Sequence, residues 1–324
     1  MKSLEALLEV RDLKKYYPVT RGGVIFSSVK GYIKAVDGIS LSINEGATFG
    51  LVGESGCGKS TTARLILRLE DPTDGQIIFQ SQNLVRLKKK ELLKFRRHCQ
   101  VVFQDPFRSL NPRKKVKQIV SEPMLVHKVM SKKQALERAH ELLETVGLRP
   151  YHADLYPHEF SGGQRQRITI ARALSLEPKI IILDEPVSAL DVSIRAQVLN
   201  LLMKLQKEFN LTYLIIAHDL AVVEHISTHV GVMYLGKLVE IASRDDLYGH
   251  PKHPYTIALL EAVPVADPRV IKDVALEGEV PSAFALPSGC RFHTRCEQAD
   301  SICKEQEPPL VEVGEEHFVA CHHL

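Results

Sequence analysis

A glycine-rich stretch carries the spacing of a phosphate-binding loop. It reads GESGCGKS and places Gly53, Gly58, Lys59 and Ser60 in the pattern G-x-x-x-x-G-K-[ST]. Glycines let backbone N–H groups curl around phosphate oxygens, the lysine adds a charge for the terminal phosphates, and the serine hydroxyl suits Mg²⁺. The stretch therefore predicts a magnesium–nucleotide site, with Cys57 as a small filler rather than a redox residue. The predicted contacts are Gly53, Glu54, Ser55, Gly56, Cys57, Gly58, Lys59, Ser60 and Thr61.

A second stretch supplies two acidic residues. IIILDEP begins with four apolar residues, which is typical of a buried strand, and continues with Asp184 and Glu185. Ligands of α/β sheets bind at the carboxyl ends of the strands. Asp184 is predicted to hold the Mg²⁺ that Ser60 contacts, and Glu185 to act as general base for an attacking water. Such a run is by itself often a strand that meets solvent, and the phosphate loop is what favours hydrolytic chemistry.

The elements around these residues indicate an α/β fold. The strand-like run ATFGLV precedes the loop, and a helical pattern follows it. KIIIL and YLIIA are apolar runs without alternation, which predicts parallel strands buried on both faces. We predict a nucleotide-binding core over residues 1–105 and 164–265. A helical subdomain is predicted over 106–163, and a C-terminal extension over 266–324.

Composition excludes several classes of protein. The 324 residues include 42 basic and 39 acidic side chains, and a net charge of +3 makes no electrostatic case for nucleic acid as a partner. No apolar stretch approaches the roughly 18 residues of a membrane span. The N-terminus lacks the apolar region of a secretory signal. We therefore expect a soluble intracellular protein whose cysteines are not paired as disulfides.

The stretch FSGGQRQRITIARAL resembles the signature sequence of ABC-type ATPases at Ser161, Gly162, Gly163 and Gln164. The serine can cap the following helix, and the glycines let the backbone approach a phosphate. S-G-G by itself would be an ordinary capped helix, but other family elements follow in order. The resemblance spans about residues 5–265. It implies a P-loop NTPase cassette with a RecA-like core, an antiparallel N-terminal β subdomain and a helical subdomain, followed here by an irregular tail.

The same resemblance assigns roles to further residues. It implies that Gln104 in VVFQDP links Mg²⁺ and water to the helical subdomain, and that His218 in LIIAHD contacts the γ-phosphate. Asp191 in SALD would communicate across a dimer. Tyr17 in KKYYPV would stack on adenine, although its neighbour Tyr16 competes for that role. Because the family's signature faces ATP bound to a partner cassette, the resemblance also implies ATP-dependent dimerisation.

Several stretches resemble the ATP-binding subunits of oligopeptide and dipeptide importers. The resemblance is strongest to the F-type subunit of these importers. They include QDPFRSLNPR, LDEPVSALDVSIRAQVLNLL and GEVPSAFALPSGCRFHTRC. The resemblance implies two membrane permeases, a second related ATP-binding subunit or a second copy, and indirectly an extracytoplasmic solute-binding protein. The chain would lie peripherally on the cytoplasmic face of the membrane. The alternatives are a soluble ABC ATPase with a regulatory or ribosome-related role, or an importer of another small solute such as nickel.

Four of the six cysteines lie near the C-terminus, at Cys290, Cys296, Cys303 and Cys321. Five, six and seventeen residues separate them. Zinc sites use closer pairs, and ferredoxin runs are also tighter. We expect a [4Fe–4S] cluster ahead of zinc, with four reduced buried thiols as the alternative. Zinc stays open because neighbouring histidines could replace cysteine ligands: His293, His317, His322 and His323.

Overall fold

The computed structural model describes residues 6–21, 28–262 and 281–324. The strands are β1 (Ala6–Arg21), β2 (Ser28–Asn44), β3 (Thr48–Val52), β4 (Asp74–Phe79), β5 (Gln82–Asn83), β6 (Cys99–Val102), β7 (Ile180–Asp184), β8 (Thr212–Ile216), β9 (His229–Tyr234), β10 (Lys237–Ser243), β11 (Val311–Gly314) and β12 (His317–Val319). The helices are α1 (Lys59–Ile66), α2 (Lys89–His98), α3 (Pro106–Ser109), α4 (Val116–Val126), α5 (Lys132–Thr145), α6 (Gly162–Leu174), α7 (Val192–Phe209), α8 (Leu220–Ile226), α9 (Arg244–Gly249), α10 (Pro254–Glu261) and α11 (Ser301–Glu305). Short 3₁₀ segments lie at Leu84–Arg86, Pro150–Asp154, Pro157–Glu159 and His293–Arg295.

The chain divides into two compact units. The first unit contains Asn44–Thr48 and Arg86–Ala217 among the described residues. The second unit contains Ala6–Ile43, Phe49–Val85 and His218–Leu324. The predicted boundary between core and extension, at residues 265 and 266, lies outside the described residues.

The first unit is built on three parallel strands. β7 pairs with β6 on one side and with β8 on the other, so that Ile182 lies opposite Val101 and Leu214. These residues are buried or nearly so because a parallel strand between two others is covered on both faces. β7 ends at Asp184, which places the acidic pair at the carboxyl end of the strand.

Helices make up the rest of the first unit. Residues 106–163 contain α3, α4, α5 and two 3₁₀ segments and no strand. α4, α5 and α6 pack against one another, and their contact faces bury apolar residues such as Ile119, Leu142 and Ile168. This packing fixes where α6 begins, and therefore where the S-G-G turn lies. The limits of a separate helical subdomain stay a prediction.

The second unit contains antiparallel and mixed strand pairing. One sheet has the order β2-β1-β4-β5, with antiparallel pairing of β4 to both neighbours. β3 pairs in parallel with β9, β9 with β10, and β10 with β12, the last two antiparallel. The parallel register sets Val52, the last residue of β3, opposite Val232. The phosphate loop therefore leaves its strand beside the end of β9.

The C-terminal tail is more regular than the sequence indicates. β11 and β12 form a hairpin, and Val319 of β12 lies opposite Glu240 of β10. Glu240 is fully buried, and its carboxylate accepts hydrogen bonds from the backbone N–H groups of Lys252 and His253 while His317 Nε2 lies 2.8 Å away. A buried carboxylate needs such partners, and they fasten the tail to β10 and to the start of α10.

Candidate nucleotide site

Two glycines of the phosphate loop occupy places that no other residue fits. Gly53 has φ 145° and Gly58 has φ 113°, both in the region that side chains avoid. A Cβ on Gly53 would lie 2.1 Å from the Met233 carbonyl oxygen, and one on Gly58 would lie 2.2 Å from that of Ala35. α1 begins directly after Gly58, and no side chain caps its first turn. The backbone thus forms an N–H-rich turn of the kind that holds phosphate.

Lys59 lies inside this loop with its ammonium group held by backbone oxygens. Its Nζ donates to Gly53 O at 2.7 Å and to Glu54 O at 2.9 Å, and the Cys57 sulfur lies 3.6 Å away. The residue is 6% exposed. Burial raises the pKa of Cys57, so the neutral thiol is favoured and the filler interpretation is supported. The Lys59 ammonium group therefore lies within the turn where a phosphate would bind.

The two candidate adenine-stacking tyrosines are both half-buried and both held by carboxylates. The Tyr16 hydroxyl donates to Asp37, and the Tyr17 hydroxyl donates to Glu70. Burial and the Glu70 contact raise the pKa of Tyr17, whose hydroxyl also interacts with Thr61 at the start of α1. Tyr17 thus contacts the first turn of the helix that follows the phosphate loop, and its adenine-stacking role stays a prediction.

The acidic pair at the end of β7 is joined by Gln104. The Gln104 amide donates to Glu185 Oε2 at 2.6 Å, although 81 positions separate the two residues. The Glu185 backbone N–H donates to Ile216 O at 2.8 Å, and its φ of 49° is unusual for a non-glycine residue. Such conformations concentrate at functional sites. The structure thus brings Gln104, Asp184 and Glu185 to one edge of the three parallel strands.

The S-G-G turn is a helix cap. Ser161 Oγ accepts from the backbone N–H of Gln164, and the Gln164 side chain accepts from the backbone N–H of Ser161. This reciprocal pair is a capping box, which fixes the first turn of α6. Ser161 and Gly162 are exposed, so the positive end of the helix dipole is open to an anion.

Two further predicted residues lie at element boundaries. Asp191 precedes α7, is exposed, and makes no side-chain cap hydrogen bond. His218 follows β8 by two residues and is exposed. Their roles in contacting nucleotide or a partner cassette stay predictions.

The comparisons with known proteins agree with this geometry. Residues 36–188 match the family described as ABC transporter, and residues 239–303 match the oligopeptide/dipeptide transporter C-terminal region. The chain is 56% identical to the Bacillus subtilis oligopeptide transport ATP-binding protein AppF over 98% of its length and 97% of the relative's. It is 49% identical to the Escherichia coli dipeptide transport ATP-binding protein DppF, over 98% of this chain and 94% of that one. This chain belongs to the family of oligopeptide and dipeptide ABC transporter ATP-binding proteins.

Solved structures of ABC cassettes are similar in fold to this ATP-binding subunit. A post-hydrolysis dimer of the cassette MJ0796 with ADP and Pi matches with a TM-score of 0.64 and 30% identity, over 73% of this chain and 98% of that one. CbiO1 from Clostridium perfringens, part of the transporter complex cbiONQ, matches with a TM-score of 0.65 and 28% identity, over 76% and 91%. The predicted ABC cassette fold is confirmed, and the subunit is an ABC-type ATPase. No helix within 6–21, 28–262 and 281–324 has the length and hydropathy of a membrane span.

The C-terminal cysteines lie close enough to influence one another. Burial, together with the thiols of Cys296, Cys303 and Cys321, raises the pKa of Cys290 to about 11. In the part of the chain that is described, three ligand atoms within 4.8 Å of one another come from Asp300, Cys303 and His323. An iron–sulfur cluster or another bound metal in the tail stays a prediction.

Sequence reasoning missed the residues that connect the tail to the nucleotide site. Arg295 contacts the Glu54 carboxylate, and Arg291 contacts Asp37, the partner of Tyr16. The available signal was two arginines within CRFHTRC, four residues apart and flanked by Cys290 and Cys296. The flanking cysteines indicate a metal site, and the sequence pattern assigns no role to the arginines.

Proposed function

We propose that this subunit dimerises on ATP and that ATP hydrolysis powers import of dipeptides or oligopeptides through a membrane ABC transporter. The observation that carries the proposal is that about half of the residues, over nearly the whole chain, are identical to those of ATP-binding proteins of peptide transport. A match to the peptide-transporter C-terminal region over residues 239–303 supports it further. The partners would be two permease subunits and a second ATP-binding subunit, either a related chain or a copy of this one.

Most of the residues proposed to bind ATP belong to the second unit. Backbone N–H groups of residues 53–61 would surround the phosphates, and Lys59 would neutralise their charge. Tyr17 would stack on adenine, with its hydroxyl held by Glu70. His218 would contact the γ-phosphate. An Mg²⁺ ion would be held by Ser60, with Asp184 and Gln104 as further ligands, because hydroxyl, carboxylate and amide oxygens suit that cation.

The hydrolytic step would belong to Glu185. A carboxylate at the end of β7 can accept a proton from the attacking water as the water attacks the γ-phosphorus. The Gln104 hydrogen bond at 2.6 Å orients this carboxylate. The residues Ser161, Gly162, Gly163, Gln164 and Asp191 would serve ATP bound to the neighbouring subunit.

The direct test is Glu185→Gln in the full chain. Loss of the base is expected to lower ATP turnover at least about a hundredfold, the usual range for a general base, while MgATP still binds and a dimer accumulates. ATPase rate and dimer mass measured with ATP would report both effects. Glu208→Gln, an exposed change on α7, is the matched control and should behave as the unaltered chain. Ordinary turnover by Glu185→Gln would reject the assignment of the base.

The solute is tested in membranes. The subunit assembled with its permeases in vesicles is expected to drive ATP-dependent uptake of a labelled dipeptide or oligopeptide. Nickel uptake without peptide uptake would replace the solute and keep the transporter. A subunit that hydrolyses ATP fully without permeases and binds ribosomes would remove the import assignment.

We also propose that the tail cysteines bind a metal centre, as a [4Fe–4S] cluster held by Cys290, Cys296, Cys303 and Cys321. The support is that four of the six cysteines of the chain lie between residues 290 and 321. Such a cluster would supply a structural fastening or a redox-sensitive group. Iron, sulfide and zinc analysis of anaerobically purified protein, with its visible spectrum, tests this. Zinc without iron would favour ligands such as Asp300, Cys303 and His323, and metal-free folded protein would reject both.

A further inference from the structure

We infer that Arg295, in the cysteine-bearing tail, is a positioning residue for the phosphate loop. Its guanidinium donates two hydrogen bonds to the Glu54 carboxylate, from Nη1 to Oε2 at 2.9 Å and from Nη2 to Oε1 at 3.1 Å. The two residues are 241 positions apart in the sequence. The inference rests on the proposed role of residues 53–61 in binding ATP.

The backbone of Glu54 is hydrogen-bonded on both sides of the residue. Its backbone N–H donates to the Tyr255 hydroxyl at 3.0 Å, and its carbonyl accepts from Lys59 Nζ at 2.9 Å. A shift of Glu54 is therefore expected to move Lys59, the lysine proposed to bind the phosphates. Its carboxylate is also a negative charge within the loop, and an uncompensated carboxylate would oppose the binding of a triphosphate.

Arg295 is held where water competes little for the pair. Its side chain is 3% exposed, whereas that of Glu54 is 22% exposed. The guanidinium lies over the rings of Tyr234 and Phe292, at 5.9 and 6.0 Å from their centres. These rings pack edge to face, with centroids 5.4 Å apart, so the arginine is confined before it meets the carboxylate.

A second arginine anchors the same tail segment. Arg291 donates to Asp37 and to the Leu235 carbonyl oxygen, and its side chain is 7% exposed. The segment is thereby fixed at both ends against elements of the second unit. With the segment held in place, the planar guanidinium of Arg295 can form two parallel hydrogen bonds to one carboxylate. A lysine ammonium group cannot form this bidentate contact.

The consequence concerns nucleotide affinity more than the chemical step. Arg295 neutralises Glu54 and fixes the loop, so its loss is expected to weaken ATP binding. The residues proposed for the hydrolytic step, Gln104 and Glu185, belong to the other unit. A split between KM and kcat is therefore expected, and a general loss of structure would not produce that split.

The experiment is a double-mutant cycle in the full chain with Arg295→Gln, Glu54→Gln and the double variant. Arg295→Gln is expected to raise the KM for MgATP about tenfold with kcat within about twofold, which corresponds to about 1.4 kcal/mol, near the low end for a hydrogen bond to a charged group. In the Glu54→Gln background the same change should raise KM less than twofold, since no carboxylate remains to be neutralised. Added salt should reduce the Arg295→Gln penalty.

Controls separate this inference from the proposed function. Arg295→Lys keeps the positive charge but loses the planar guanidinium, so its KM for MgATP should lie between that of the unaltered chain and that of Arg295→Gln. If Arg295→Gln does not fold, Arg295→Lys takes its place in the double-mutant cycle. Arg244→Gln, an exposed arginine of the same unit, should change nothing. Lys59→Ala must weaken ATP binding, or the loop assignment itself fails. If Lys59→Ala weakens binding and Arg295→Gln either has no effect or acts equally in both backgrounds, the positioning role is overturned.

Discussion

Adjacent glycines at the start of α6 should respond very differently to alanine. A Cβ on Gly163 would lie 2.3 Å from Ile194 Cγ2, whereas the nearest atom to a Cβ on Gly162 is Leu190 Cδ2 at 3.3 Å. Ile194 is β-branched and belongs to α7, so its χ1 has little freedom to move the methyl group away. Gly163→Ala therefore forces α6 and α7 apart, and Gly162→Ala needs a shift of only a few tenths of an ångström.

The magnitude follows from the difference between these variants. Both gain a similar part of the roughly 1 kcal/mol by which alanine exceeds glycine in a helix, and that gain cancels. The overpacking at Gly163 remains, at about 1–3 kcal/mol. At about 2–4 °C per kcal/mol for a domain of this size, Gly163→Ala should unfold some 2–12 °C below Gly162→Ala.

Thermal unfolding is the suitable assay because both glycines belong to the predicted signature and ATPase rates would confound packing with catalysis. The second-site change Ile194→Ala removes the clashing methyl group, so Gly163→Ala should cost much less in that background. Equal unfolding midpoints for Gly162→Ala and Gly163→Ala would refute the reasoning, as would a Gly163→Ala penalty that Ile194→Ala leaves unchanged.

Three further predictions concern stability. Burial lowers the pKa of His253 from 6.5 to about 4, so the unfolded chain binds the proton first and stability falls as pH drops from about 6.5 to 4; His253→Asn keeps a helix cap, and a pH dependence no flatter than before would contradict this. Asp37 is buried, but hydrogen bonding by Tyr16 and the charge of Arg291 lower its pKa below 3.8 overall. Its contribution to stability should therefore begin to fall below about pH 4 and be lost as pH drops through the lower folded-state pKa, and acid unfolding curves of Asp37→Asn should lack that loss. Ser161→Ala should cost about 1 kcal/mol in denaturant unfolding through the lost cap, and Ser161→Thr much less; equal costs would rule out capping as the cause.

Local patterns predicted much of the candidate site. Residues 53–58 form one continuous loop that leads into α1, and the backbone conformation requires its glycines within those few positions. The capping box of Ser161 and Gln164 lies within four consecutive residues. The end of β7 at Asp184 followed from an apolar run and its polar successors. Such features depend on neighbours in the chain, so sequence spacing reveals them.

The tertiary structure decided which distant residues meet. The Gln104–Glu185 hydrogen bond requires β6 to lie beside β7, and the Arg295–Glu54 pair requires a tail 241 positions away to return to the phosphate loop. The hairpin of β11 and β12 is likewise fastened by buried Glu240 and His317, which no periodicity marks. Motif order determined that this chain is an ABC ATPase, because short-range backbone chemistry defines the motifs. Sheet order and packing determined which charges are paired, because long-range contacts are set by the whole fold.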